Sequence, residues 1–173
     1  DVSIRHQSGR LAGEVAYFYN DVRNFIFRRL TGDIEDDLAV AEFAQGDAVL
    51  QGVEAHLDLR LSEFWSVEGG FDYVKGDLNT LGVPLPRIPP MRGRFGLRFQ
   101  KNAFQAGLDA TLVGTQDRVF TTPLGGGDLN ETSTEGYGLT KAYMAYSFSA
   151  GKVLHTLALR ADNAGNVRYR NHL

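Results

Sequence analysis

The sequence has no cysteine, which excludes a disulfide framework and any thiolate metal site. It has no stretch approaching the roughly 18 consecutive apolar residues of a membrane-spanning helix. It has no run of lysines and arginines and carries a formal net charge of -3. A nucleic-acid partner is therefore not expected. Catalytic signatures are missing as well. The Gly125-Gly126-Gly127 run has no following Lys-Ser/Thr and no strand-to-helix setting, so it is not a phosphate loop. There is no serine nucleophile elbow and no pair of catalytic carboxylates in a defined cleft. The sequence is not that of an enzyme.

What is present is alternation. Apolar residues make up 43% and charged residues 23%, a balance that looks soluble. Transmembrane β-barrels show the same balance, because lipid-facing and lumen-facing residues average out. The 20 glycines, 11 phenylalanines and 7 tyrosines suit a β-rich chain with an aromatic girdle. Eight segments have period two rather than the 3.6 of a helix. They fall at residues 2–6, 11–20, 49–61, 65–75, around 92–99, around 104–112, at 137–148, and around 156–162. In the second, the phase slips near Asp21 before Phe25 and Phe27 resume. A bulge in one long strand explains this, and so do two separate segments. The third is the clearest, with Val53, Ala55, Leu57, Leu59 and Leu61 on one face and Glu54, His56, Asp58 and Arg60 on the other.

Connections alternate as well. Short turns are expected at residues 7–10, 62–64, 101–102 and 150–152. Long loops are expected at residues 31–46 (acidic, with Asp33, Glu35, Asp36 and Asp37), 79–90 (rich in proline) and 119–136. Antiparallel neighbours place all long loops on one side, which in bacterial outer membranes is extracellular. Trp65, Tyr73, Phe95, Phe99, Phe104, Tyr137 and Phe148 suit interfacial girdles. The polar face carries charges whose burial in a dry core costs several kcal/mol each when unpaired. A wet lumen removes most of that penalty. The fold class expected is therefore all-β, an antiparallel transmembrane barrel. A soluble all-β binding module and a self-contained eight-stranded outer-membrane barrel with a structural or adhesive role are the alternatives.

Several stretches resemble, in order, the C-terminal barrel of TonB-dependent outer-membrane receptors. Phe18-Tyr19-Asn20-Asp21-Val22 with Asn24-Phe25-Ile26 is similar to the family's long strand with its aromatic-Asn-Asp hinge. Gly52-Val53-Glu54 resembles a recurrent Gly-hydrophobic-Glu. Leu85-Pro86-Arg87-Ile88-Pro89-Pro90, with Arg92 and Gly96-Leu97, resembles the proline-rich loop before a late strand. Leu159-Arg160-Ala161-Asp162-Asn163 and Tyr169-Arg170-Asn171-His172-Leu173 resemble the penultimate strand and last extracellular loop. Asn163-Ala164-Gly165 departs from the usual Asn-Leu-Phe. The resemblance implies that residues 1–173 are about eight strands of a 22-stranded barrel, a C-terminal fragment without its plug. It implies a place in the bacterial outer membrane and, for the whole receptor, energy-coupled uptake of a scarce nutrient such as a metal ion or chelate. Siderophore, haem and zinc are examples, and the zinc or related metal branch is the nearest in these motifs. The implied partners are outer-membrane lipid, the protein's own plug and remaining strands, and the TonB complex. Such a segment is expected to have open strand edges at its two ends.

The candidate site is a lumen-facing polar wall of Glu54, His56, Asp58, Arg60, Arg92, Arg94, Arg98, Asp109, Arg160 and Asp162. Arginines facing Glu54, Asp58, Glu68, Asp72, Asp109 and Asp162 predict a cross-strand network that holds the wall and meets the plug. No cofactor is expected in this segment, although a transported metal or chelate fits the family. His56 and His172 are the metal-ligand candidates. Residues at i, i+2 and i+4 of a strand stand ~7 Å apart, so Glu54, His56 and Asp58 do not easily share one ion. His172 has no partner histidine nearby in sequence. A hydrated wall for His56 and an ordinary loop position for His172 are the plainer expectations.

Overall fold

The computed structural model describes residues 1–121 and 131–172. Among these the chain forms a single antiparallel sheet. Its strands are β1 (Val2–Gln7), β2 (Leu11–Glu35), β3 (Leu38–Arg60), β4 (Trp65–Leu78), β5 (Val83–Pro84), β6 (Arg92–Lys101), β7 (Phe104–Val113), β8 (Tyr137–Ala150) and β9 (Val153–Asp162). They lie in the order β1-β2-β3-β4-β6-β7-β8-β9, with β5 paired to β4. β6, β7 and β9 have 10 residues each, the length of a tilted membrane-crossing strand.

The register separates two faces. Val15, Ala55 and Phe71 are paired neighbours, as are Phe95, Ala110 and Gly69. This face continues through Leu108, Met144, Leu157 and Leu159, all large, apolar and exposed. A contiguous exposed apolar face of this extent requires a covering, and among the described residues no second layer provides one. A soluble sandwich needs that layer. Aromatics collect near the end with the short turns, where Trp65 lies 4.8 Å from Phe99 and Phe148 stacks on His155 at 5.3 Å. Tyr137 corrects the girdle expectation. It pairs with Val113, which pairs with Arg92, and so lies on the polar face.

The first long connection is also corrected. Residues 31–46 are not a loop, because β2 and β3 stay paired from Leu11↔Leu59 to Glu35↔Leu38. The hairpin tip is Asp36-Asp37, both left-handed (φ 49° and 63°), as a two-residue turn matched to strand twist demands. The phase slip is a bulge between Val22 and Phe25. There Asn24 sits at φ 55°, a conformation that Asn tolerates better than most residues. The bulge reverses the alternation, so Phe25 and Phe27 face the side opposite to Tyr17 and Tyr19.

Beyond the strands that cross, a small dry cluster forms on the polar face. Phe27, Ala48, Leu78, Leu85, Ile88 and Phe120 are buried, with Leu50 and Val74 packed against them. Ala48 pairs with Leu78 and Gly52 with Val74, two places along from Glu54↔Asp72. The cluster therefore stands directly above the charged residues. It is closed by the proline-rich segment 79–91, not a bare loop, since it contains β5 and buries Leu85 and Ile88. Gln116 fixes the segment by donating from Nε2 to the Ile88 carbonyl at 2.9 Å. The short turns fall where the sequence places them. The Gly125-Gly126-Gly127 run lies outside the described residues.

β1 and β9 are the two edges of the sheet and do not pair with each other among the described residues. Each presents an open ladder of backbone donors and acceptors. A self-closed eight-stranded barrel would have joined them.

Candidate functional site

Three strands hold the clearest part of the wall. Asp72 on β4 stands opposite Glu54 on β3 and Arg92 on β6, while His56, Gly70 and Arg94 form the next row and Asp58 and Glu68 the row after. Asp109 pairs with Gly96 and Lys141, and Lys141 with Asp162. Cross-strand pairs share a face, so all ten predicted wall residues lie on one side of the sheet.

The expected network forms in separate groups. Asp72 accepts from Arg92 Nε at 3.0 Å and from Arg94 Nη2 at 3.2 Å. Arg98 Nη2 bridges Glu68 at 3.0 Å and Asp109 at 2.6 Å. Arg160 binds Asp162, its neighbour two places along, at 2.9 Å. His56 Nε2 lies 2.8 Å from Asp58 Oδ2. Glu54 and Arg60 join none of these groups. Sequence reasoning missed Lys141, which the outward phase of Ala142, Met144 and Tyr146 places on the wall. It also missed how the arginines lie. A Cβ at Gly96 would come within 3.0 Å of the Arg98 guanidinium, and one at Gly70 within 3.3 Å of Arg94 Nε. Glycine at these two points lets long side chains lie flat against the sheet.

The charges are also sorted. Acids dominate β2 to β4 (Glu14, Glu54, Asp58, Glu68, Asp72), and bases dominate β6 to β9 (Arg92, Arg94, Arg98, Lys141, Arg160). Between them lies a cleft of about 350 Å³ lined by His56, Glu68, Arg94, Arg98, Asp109 and Lys141. Its groups can bind polar or charged matter, but they include no nucleophile activated by a base. Among the described residues no group of three or more His, Asp or Glu is placed to hold a metal ion. His172 is not among the wall groups; its side chain is 1% exposed between Glu131 and Thr134. Above the cleft, on the extension of β4 that pairs with β5, Asp77 takes hydrogen bonds from Lys75 and Arg118. Burial alone would raise this carboxyl, and the two cations outweigh it and hold it below its ordinary value.

One apolar face without a protein cover, one ion-paired polar face and open edges together define a section of a transmembrane β-barrel. The family model for TonB dependent receptor-like β-barrels matches residues 1–164, and the chain belongs to that family. Barrels of this family lie in the outer membrane of Gram-negative bacteria, and so does this chain. The family consists of transporters, not enzymes. No curated protein matches in sequence. Among solved structures, the copper transporter OprC superposes with a TM-score of 0.85 at 21% identity, over 98% of this chain and 25% of its own. A mutant of the ferric enterobactin receptor PfeA from Pseudomonas aeruginosa gives 0.73 at 19%, over 96% and 25%. The unliganded ferric citrate transporter FecA gives 0.73 at 18%, over 96% and 26%. These likenesses are of fold, and the chain spans about a quarter of each protein.

Proposed function

We propose that residues 1–173 are a C-terminal part of the barrel of an outer-membrane receptor for energy-coupled uptake of a metal ion or metal chelate. The observation that carries this reading is the division of one sheet into a lipid-type face and a charged face, in a chain of this family. The polar wall then lines the lumen and meets a plug formed elsewhere in the protein. The long connections are extracellular, and the whole receptor engages the TonB complex. Ion-paired arginines and acids on a wet wall are stable without a dry core, and they leave a hydrated surface along which a plug can rearrange. The names of OprC, PfeA and FecA support metal or chelate as the substrate class. The wall itself does not single out one chemistry, because acids and bases face the same cleft.

The test is uptake by cells that express the full-length receptor and lack their own receptors. Labelled copper, ferric siderophore and ferric citrate are supplied in turn. Accumulation of one of them that stops when the proton gradient is collapsed supports the proposal. Accumulation insensitive to the gradient, or none with any metal form, contradicts it.

A further inference from the structure

Three stretches far apart in sequence meet at one buried carboxylate. Glu131 Oε1 accepts from the backbone N–H of Arg87 at 2.9 Å and lies 3.2 Å from His172 Nε2. Its Oε2 accepts from the backbone N–H of Phe120 at 3.3 Å. The Glu131 and His172 side chains are 2% and 1% exposed. A carboxylate that deep is tolerated only when its lone pairs are filled by donors, and here each donor comes from a different segment. Arg87 belongs to the proline-rich segment and sits at φ 61°, unusual for a residue with a Cβ. In that conformation its N–H points at Glu131. Phe120 anchors the next segment, its ring edge-on to Phe27 at 5.7 Å. His172 lies on the stretch that follows β9, and its other nitrogen lies 3.2 Å from the Thr134 hydroxyl.

We infer that Glu131 is a latch that ties these three extracellular segments into one body, so that they open together. Loss of any one donor leaves a buried acceptor short of a partner and weakens its hold on the other two. The bulge, β5 and the dry cluster place this body over the charged wall. A ligand that dislodges one segment therefore loosens the whole cover.

Hydrogen exchange on the full-length receptor tests this, measured without substrate so that its outcome is independent of the uptake reading. Glu131→Ala is expected to speed exchange at least tenfold in peptides covering Arg87, Phe120 and residues 163–172, with β6 and β7 unchanged. His172→Ala is expected to speed the same three regions by a smaller factor, including the Arg87 amide that His172 does not touch. Acceleration confined to the segment that carries the substitution overturns the inference. If Glu131→Ala does not assemble, the Arg87 amide in His172→Ala decides: faster supports the latch, unchanged overturns it.

Discussion

The charged wall and the dry cluster above it occupy the same face of the same sheet and are held in opposite ways. Wall side chains stay partly exposed and pair across strands, with Arg98 bridging Glu68 and Asp109. Such pairs contribute about 0.2–1 kcal/mol each. In the cluster, Leu78, Ala48 and Phe120 are almost fully buried, and each large side chain removed costs several times more. The difference shows what covers each region. Among the described residues nothing packs over the wall, while the chain folds back to cover the cluster itself.

The comparison sharpens most at Leu78, whose side chain is 0% exposed. Leu78→Ala is expected to destabilise the cluster by about 2–5 kcal/mol. Exchange in residues 79–91 should accelerate while the wall strands keep their protection. Equal acceleration in both regions would break the distinction. Gly52 marks the border, where a Cβ would come within 2.4 Å of the Tyr73 carbonyl oxygen and 2.5 Å of the Phe18 ring. Gly52→Ala is expected to lower barrel stability by about 1–3 kcal/mol, read as a shifted urea midpoint after refolding in detergent. In the wall, Arg98→Ala removes the partner of both Glu68 and Asp109. The expected loss is up to about 2 kcal/mol from two part-exposed pairs. A double-mutant cycle with Asp109→Ala should return a coupling under about 1 kcal/mol, and a coupling several-fold larger would mean the wall is dry. The smallest effect concerns Asp77. Its carboxyl is held below the ordinary 3.8, so its contribution is present above that pH and fades as pH falls below it. Residues 114–121 should loosen slightly on acidification, and Asp77→Asn should abolish that sensitivity.

The same contrast explains what the sequence reveals. Along the wall, water on one side and lipid on the other enforce strict alternation, so residues 53–61 disclose both faces at once. In the cluster both sides are apolar. Ala48-Val49-Leu50 breaks alternation because Ala48 and Leu50 face the cluster while Val49 faces outward. The hairpin beyond Asn20 looked like an acidic loop for two reasons. A bulge at Asn24 reverses the phase, and the turn itself is made of Asp36 and Asp37. Leu85, Ile88 and Phe120 have no periodicity that announces burial. The meeting of Glu131 with Arg87 and His172 depends entirely on how the connections fold, which local pattern does not encode.

The central claim is that one face of this sheet meets lipid and the other a wet lumen. These residues contain no cysteine, so single spin labels placed in them, in the full-length receptor with any cysteine elsewhere replaced and reconstituted in bilayers, test it directly. Labels at Leu57, Phe95 and Leu108 should be relaxed by oxygen and shielded from a water-soluble nickel chelate, and labels at His56, Arg94 and Thr111 should show the reverse. Nickel access to the first set equal to that of the second would contradict the account.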